Sequence, residues 1–176
     1  MANTEVDTTL FGTDVSYEID SRWLAYWSFL LRIVVGWWFL HAGLGKLIGD
    51  GITYDAGGWL ANATDVSIIA PLLVWTGENI PVIAGTMVQW GQIAIGLGLI
   101  VGLLVRTASF FGVMLMIFFT FGNVEWSTGM VGANLMGLLL FVTVIVLGAG
   151  RVWGLDAYVE KTPFVQNNQW MRYLLG

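Results

Sequence analysis

The segment from Trp23 to Leu47 places an arginine and a histidine inside a run that is otherwise almost entirely apolar. The run is long enough to cross a bilayer, since a spanning helix needs about 20 mostly apolar residues. A charged side chain at that depth is unfavourable unless it is paired or faces a polar cavity. The position of Arg32 therefore predicts polar partners supplied by other segments of the chain.

Helical spacing gives this segment two distinct faces. At about 100° per residue, Arg32 shares one face with four other residues, namely Gly36, Phe39, Gly43 and Lys46. The two glycines allow another helix to approach closely. The opposite face carries His41 together with Trp37, Trp38 and Gly45. We expect the rest of the chain to cover these two faces.

The composition is typical of an integral membrane protein. Of the 176 residues, 57% are hydrophobic and 11% are charged, whereas about a quarter of the residues of a soluble domain are charged. The 23 glycines and 10 tryptophans fit close helix packing and membrane interfaces. We predict an all-α integral membrane protein with four transmembrane helices in one membrane domain, residues 1–176, surrounded by a lipid bilayer.

Several classes of site are excluded by residue counts. The chain has no cysteine and one histidine, which excludes disulfides, iron–sulfur clusters and bis-histidine haem ligation within it. We predict no metal and no covalent cofactor. The net charge of −5 is unlike that of a nucleic-acid-binding protein. Acidic residues outnumber basic ones in a manner that resembles halophilic proteins, although ordinary drift gives the same balance.

Residues that typically begin or end helices divide the chain into four predicted spans. Asp20 or Ser21 is placed to cap the first helix, Asn79 to cap the second ahead of Pro81, and Arg106-Thr107 to form a short hinge before the third. The predicted spans cover residues of about 22–47, 80–105, 107–122 and 130–148.

The connection at 50–79 is long, and we predict a short interfacial or re-entrant helix within it, near residues 66–75. Thr64 or Asp65 would cap this helix, and Pro71 interrupts the apolar run. A lipid-facing loop at this depth is excluded because its backbone would lack hydrogen bonds. Residues 62–64 match a glycosylation acceptor at Asn62, a triplet that is frequent by chance.

The terminal segments are polar. Residues 1–20 form an acidic leader with five acids and no base, unlike a signal peptide, and we expect a short interfacial turn near Leu10 and Phe11. The tail, 152–176, is expected to lie along the membrane surface. Five of the six basic residues near span ends fall on the side of the termini. This predicts a multi-pass cell-membrane protein with both termini in the cytoplasm.

One polar pair is predicted near the middle of the membrane. Counted along the helices, Gln92 and Gln89 lie at a depth that the long side chain of Arg32 reaches. We predict a buried contact of Arg32 with Gln92, and with Gln89 as a further partner. Such a contact serves either a cofactor or proton site, or simply joins the first helix to the second. An arginine hydrated from the cytoplasm is the third alternative.

A second polar cluster is predicted toward the outer surface. His41 lies near the level at which Glu78, Asn123, Glu125 and Asn134 end or begin their helices. A histidine beside carboxylates and amides could donate a hydrogen bond to a quinone carbonyl and transfer a proton. The alternative is a neutral histidine held by one of the amides.

The residues resemble the DoxX/DoxD family of small four-span membrane proteins. The resemblance rests on RIVVGWWFLHAGLGK at 32–46, on GQIAIGLGLIVGLLVRTA at 91–108 and on GAGRVWGLD at 148–156. It covers most of the chain from about Leu31 to Asp156. Many relatives carry glutamate where this chain has Gln92, so a buried ion pair would here become a neutral hydrogen bond.

The resemblance implies a link to the membrane subunit of thiosulfate:quinone oxidoreductase, which pairs with a second subunit. On this interpretation quinone is the cofactor, His41 and Arg32 are the catalytic residues, and the cofactor contacts are Arg32, His41, Gln92, Gln89, Asn134 and Glu78. The alternative is a non-catalytic accessory subunit of a larger respiratory or transport complex. A small transporter or channel is ranked last, because intramembrane charges are few.

Overall fold

The computed structural model describes residues 3–61, 67–122 and 131–176. It begins with a β-hairpin and continues with helices. The bounds are β1 Asn3–Leu10, β2 Thr13–Asp20, α1 Ser21–Asp50, α2 Gly57–Ala61, α3 Ala70–Asn79, α4 Pro81–Val101, α5 Val105–Gly122, α6 Ala133–Val146, α7 Asp156–Val159 and α8 Pro163–Asn167. The predicted all-α membrane bundle is confirmed, and the small two-stranded sheet is an addition to it.

Among the described residues, three helices are long and apolar enough to cross a membrane: α1, α4 and α5. The fourth apolar helix, α6, has 14 residues, which correspond to about 21 Å. The residues directly before its N-terminal turn, 123–130, lie outside the described part of the chain. Asp20 caps α1 as predicted, because its Oδ1 accepts hydrogen bonds from the backbone N–H groups of Arg22 and Trp23.

Helices α1 and α4 pack antiparallel, and glycines set their separation. A Cβ atom on Gly43 would lie 2.7 Å from Ile93 Cγ1 and 2.9 Å from the carbonyl oxygen of Gln89. At the other end of the contact, a Cβ on Gly96 would lie 2.5 Å from the backbone nitrogen of Leu40. The two backbones therefore touch directly, as the glycines on the Arg32 face predicted.

The remaining long helices close the bundle around an aromatic pair. In the contact between α5 and α6, Phe141 fills the space that a side chain at Gly112 would occupy. The Phe141 ring meets Phe39 of α1 edge to face, with 4.7 Å between centroids, and both residues are fully buried. Such edge-to-face contacts add to the stabilisation from buried area.

The hinge between α4 and α5 lies earlier in the chain than predicted. Helix α4 ends at Val101, and Gly102 terminates it in the left-handed region at φ 75°. Arg106 and Thr107, the predicted hinge, lie in the first turn of α5. Gly102 marks the end of α4 in the sequence, because glycine adopts the left-handed conformation of a helix C-terminus at little cost.

The described part of the connection between α1 and α4 contains two short helices. Its second helix, α3, begins at Ala70 and not at Val66, with Pro71 in the first turn, where its missing N–H is tolerated. The predicted caps Thr64 and Asp65, and Asn62, lie outside the described residues. Asn79 does not cap α4: its Nδ2 donates to the carbonyl of Trp75, and Ile80 precedes α4 without a side-chain cap.

The terminal segments are more ordered than predicted. The acidic leader forms an antiparallel hairpin whose strands pair from Asn3–Asp20 to Leu10–Thr13, with Phe11 and Gly12 in the turn. The tail does not only follow the surface. Val165 and Leu175 are each 1% exposed, and the carbonyl of Leu174 accepts hydrogen bonds from the backbone and hydroxyl of Thr107.

Candidate functional site

The side chain of Arg32 is 1% exposed and is bound by backbone carbonyl groups. Nη1 donates hydrogen bonds to the carbonyl oxygens of Ala149 at 2.8 Å and Val152 at 3.0 Å, and Nη2 donates to Trp153 at 3.3 Å. The ring of Phe29 lies 5.3 Å from the guanidinium carbon, a cation–π distance. Arg32 therefore joins α1 to the turn that follows α6.

Two glycines leave no free space around the guanidinium. A Cβ atom on Gly102 would lie 2.7 Å from Nη1 of Arg32, and one on Gly154 would lie 2.5 Å from it. Arg32 Nε is buried and has no hydrogen-bond partner among the described residues. These contacts enclose the guanidinium in protein. A quinone ring therefore does not reach it in this arrangement.

Asp156 completes the same region, and it was not singled out as a site residue from the sequence. Its side chain is fully buried. Oδ1 accepts a hydrogen bond from the backbone N–H of Leu104, and Oδ2 accepts from Val105 and from Gly176. A carboxylate at the start of α5 is favoured by the free N–H groups and dipole of the helix. Asp156 also attracts Arg32 through space.

The backbone near these two groups is strained. Leu104 has φ 54° and Trp153 has φ 52°, in a region that large side chains rarely adopt. Leu104 donates to Asp156 and Trp153 accepts from Arg32. The hydrogen bonds to buried charges offset this strain. We call Arg32, Asp156 and the turn 149–154 the Arg32 cluster.

The predicted contact of Arg32 with Gln92 is wrong. Gln92 Oε1 accepts from Lys46 Nζ at 3.0 Å, and Arg32 lies beside Gly102. Ten residues of helix separate Gly102 from Gln92, which is about 15 Å. The error came from measuring depth from Arg106, because α4 ends before that residue and the chain turns between the two.

Lys46 and the two glutamines form a separate polar layer between α1 and α4. Lys46 Nζ donates to the carbonyl of Ala42 as well as to Gln92, and it lies 5.6 Å from the ring centroid of Tyr54. Gln89 is fully buried; its Nε2 donates to the carbonyl of Gly51, and its Oε1 has no partner among the described residues. This layer fixes the start of the 50–79 connection against α4.

His41 does not join the predicted outer cluster in the part of the chain that the structure describes. It is exposed on α1, and its ring lies 6.0 Å from that of Trp37. Asn134 donates from Nδ2 to the carbonyl of Phe119, and Glu78 lines an open groove along α3 with Trp75. Asn123 and Glu125, the other predicted members, lie outside the described residues.

Exposed side chains surround His41 along one stripe of α1. Residues at intervals of three and four, from the start of the helix to its end, are all exposed: Trp23, Trp27, Leu30, Val34, Trp37, His41, Gly45 and Ile48. His41 is the polar member of this stripe. Trp37 is 58% exposed and lies well inside the apolar run, away from the interfaces where tryptophan is usually found. We call this stripe the Trp37–His41 surface.

The described residues do not include a group of side chains that could hold a metal ion. Within 3–61, 67–122 and 131–176, no group of three or more histidine, aspartate or glutamate side chains gathers at metal-binding distance. Most of the polar side chains described above are hydrogen-bonded to backbone groups.

A family model named DoxX matches residues 28–123, which is more than half of the chain. The chain belongs to the DoxX family. The match contains most of α1 together with α4 and α5, and therefore Arg32, His41, Lys46, Gln89 and Gln92; Asp156 lies outside it. No solved structure matches this chain. Because it is a DoxX protein whose described residues include three helices long and apolar enough to cross a membrane, it is a multi-pass membrane protein.

Proposed function

We propose that this DoxX protein is the membrane subunit of a quinone-linked oxidoreductase, similar to the membrane subunit of thiosulfate:quinone oxidoreductase. A partner chain oxidises the sulfur substrate and passes two electrons to quinone, which takes up two protons to become quinol. The absence of cysteine means that no thiol of this chain forms an adduct with substrate. Basic residues near the span ends support cytoplasmic termini.

The observation that carries this proposal is the exposed His41 beside the exposed ring of Trp37 within a membrane-spanning helix. A polar, ionisable side chain facing the bilayer is unfavourable unless something polar meets it. A quinone head group diffusing in the bilayer provides carbonyl oxygens for the imidazole N–H and a flat ring for Trp37. His41 would hold the head group and donate a proton to the reduced oxygen.

The geometry changes the role proposed for Arg32. Its bonded N–H groups are directed at backbone carbonyls and its side chain is buried, so it does not act as a hydrogen-bond donor to quinone. We assign it the positioning of α1, which carries His41 on another face. Gln92, Gln89, Asn134 and Glu78 likewise have no contact with His41 among the described residues, and the proposal no longer needs them.

The test compares His41→Ala and His41→Gln in the native complex, purified in mild detergent with its copurifying chains. We expect His41→Ala to lower the rate of quinol formation about 100-fold, the scale of a lost general acid. The glutamine variant keeps a hydrogen-bond donor but cannot transfer a proton, so we expect it to restore quinone affinity without restoring kcat. Val34→Ala, on the same surface two turns away, is the matched control.

Labelling by a photoreactive quinone gives an independent readout. We expect the attached peptide to contain Trp37 and His41, and excess natural quinone to prevent the attachment. Unchanged quinol formation in His41→Ala, together with labelling elsewhere in the complex, would show that this surface is not the quinone site.

A second candidate function is a non-catalytic accessory subunit. The observation that favours it is the presence of exposed tryptophans on the Trp37–His41 surface, since aromatic residues are enriched where proteins contact each other. In that case His41→Ala would weaken copurification with the larger complex and leave its turnover unchanged. A complex that stays fully active without this chain would favour the accessory role.

A further inference from the structure

The N-terminal hairpin places its acidic and its apolar side chains on opposite faces. Neighbouring residues of a strand point to opposite faces, and paired residues share a face. One face carries the pairs Val6–Tyr17, Thr8–Val15 and Thr4–Ile19. The other face carries all five acids of the segment: Glu5, Asp7, Asp14, Glu18 and Asp20. The hairpin is therefore amphipathic, with one apolar and one strongly acidic surface.

The apolar face lacks sufficient cover from the described protein. Tyr17 is 49% exposed and Leu10 is 52% exposed, and Phe11 at the tip is entirely exposed. Phe11 also holds a left-handed backbone conformation, at φ 51°, which is unusual for a bulky residue. A two-stranded hairpin is at best marginally stable in water without a surface against its apolar face. Something must therefore cover this face.

The connection to α1 indicates what that surface is. Strand β2 ends at Asp20, and the same residue caps α1, so no linker separates the hairpin from a membrane-spanning helix. Trp23, one turn into α1, is 71% exposed at the level where aromatic residues anchor spans to the interface. The hairpin thus begins at the membrane boundary, with aromatic side chains at its tip and on its apolar face.

We infer that the hairpin lies on the bilayer surface, with its apolar face at the boundary of head groups and acyl chains and its carboxylates in water. This is the arrangement of an interfacial amphipathic element. The acidic face gives it a lipid preference: anionic lipids repel it, and salt screens this repulsion. The hairpin is then held by zwitterionic lipid and released by anionic lipid at low ionic strength. This inference is independent of the quinone proposal.

The absence of cysteine from the chain makes a site-directed spin-label scan unambiguous. Val15→Cys and Tyr17→Cys report the apolar face, and Asp14→Cys and Ser16→Cys report the acidic face of the same strand. In nanodiscs of phosphatidylcholine, we expect severalfold greater access to oxygen than to a nickel chelate at the first two sites. At the other two sites we expect the reverse.

Each alternative arrangement gives a distinct result. Equal access of the nickel chelate to all four sites would mean that the hairpin stands in water, which overturns the inference. Protection of the apolar sites from both reagents would mean that a protein surface, from a second copy or a partner, covers them. Leu30→Cys in α1 must stay accessible to oxygen throughout, which shows that the bilayer itself is intact.

The lipid preference is tested with the same label at Tyr17→Cys. Replacing part of the phosphatidylcholine by phosphatidylglycerol at low salt should lower the oxygen preference severalfold, and raising the salt should restore it. The double change Glu5→Gln and Asp7→Asn should weaken this dependence on lipid charge. A label that responds equally to both lipids would exclude electrostatic control, even if the hairpin lies on the membrane.

Discussion

The Arg32 cluster and the Trp37–His41 surface both include residues of α1, but they differ in the burial and hydrogen bonding of their polar groups. In the cluster, the guanidinium donates to three carbonyl oxygens and the carboxylate of Asp156 accepts from three N–H groups. On the surface, His41 is exposed, and the ring of Trp37 lies beside it. A buried charge that is held by several hydrogen bonds belongs to the folded structure, whereas an exposed polar side chain is available to a ligand.

On the proposed function, this contrast predicts that one region stabilises the fold and the other carries the activity. The arginine, which is the more conspicuous residue in the sequence, is enclosed and structural. The histidine, one of several polar residues predicted near the outer end, is exposed. Substitutions in the two regions should therefore have opposite effects on the folded state and on activity.

The largest expected effect is that of Arg32→Met. It removes a buried charge and leaves three carbonyl groups without their donors, and each unsatisfied buried group costs about 1–3 kcal/mol. We expect a correspondingly large fall in the thermal unfolding midpoint in detergent. Arg22→Met, exposed at the start of α1, is the control and should change stability little. Equal unfolding midpoints for the two variants would mean that the Arg32 cluster does not stabilise the bundle.

Asp156→Asn should have the next largest effect. The amide keeps the shape of the carboxylate but loses its charge, and hydrogen bonds to charged groups contribute about 1.5–3 kcal/mol. Hydrogen exchange should show local opening at the N-terminal turn of α5, where Leu104 and Val105 donate to this carboxylate. Asp7→Asn, on the exposed hairpin, should leave exchange in α5 as it is.

Two glycines of α1, only two residues apart, provide the third comparison. A Cβ on Gly43 would clash with Ile93 and the backbone of α4, whereas a Cβ on Gly45 meets nothing within 4 Å. We expect Gly43→Ala to destabilise the bundle by about 1–3 kcal/mol, and Gly45→Ala to be neutral or stabilising because alanine favours helix. The same sign for both variants would contradict the packing of α1 against α4.

The smallest effect on stability should be that of His41→Ala. An exposed residue without buried hydrogen bonds changes stability by no more than about 0.5 kcal/mol, so the unfolding midpoint should be close to that of the parent protein. Only quinol formation should fall. A strong loss of stability would show that His41 has a structural partner, and the contrast between the two regions would then fail.

Much of the fold was predictable from local pattern. The apolar runs predicted the long helices, Asp20 predicted the first cap, and the glycines on the Arg32 face predicted the close approach of α4. The N-terminal hairpin was missed, although its strands alternate apolar and acidic residues and its turn contains Gly12. That signal is short, and the acidity of the segment favoured a solvated leader.

The candidate site was predictable only in part. The buried arginine predicted polar partners, but their identity depended on where α4 ends and how the chain returns after α6. Asp156 lies in the GAGRVWGLD segment, but local sequence does not predict its burial. Its partners, Leu104, Val105 and Gly176, are distant in sequence. Lys46 and Gln92 are both visible as polar residues of apolar segments, but local sequence does not pair them with each other, as the structure does.

The sequence by itself determined that this chain is a membrane bundle and that Arg32 must be satisfied inside it, because hydrocarbon offers a guanidinium no hydrogen bonds. The tertiary structure decided which groups satisfy it. The register of α1 against α4 places Arg32 beside Gly102 and brings the 149–154 turn within hydrogen-bond distance, while it leaves His41 facing outward. Local pattern sets the need for partners, but partner choice depends on contacts between residues more than a hundred positions apart.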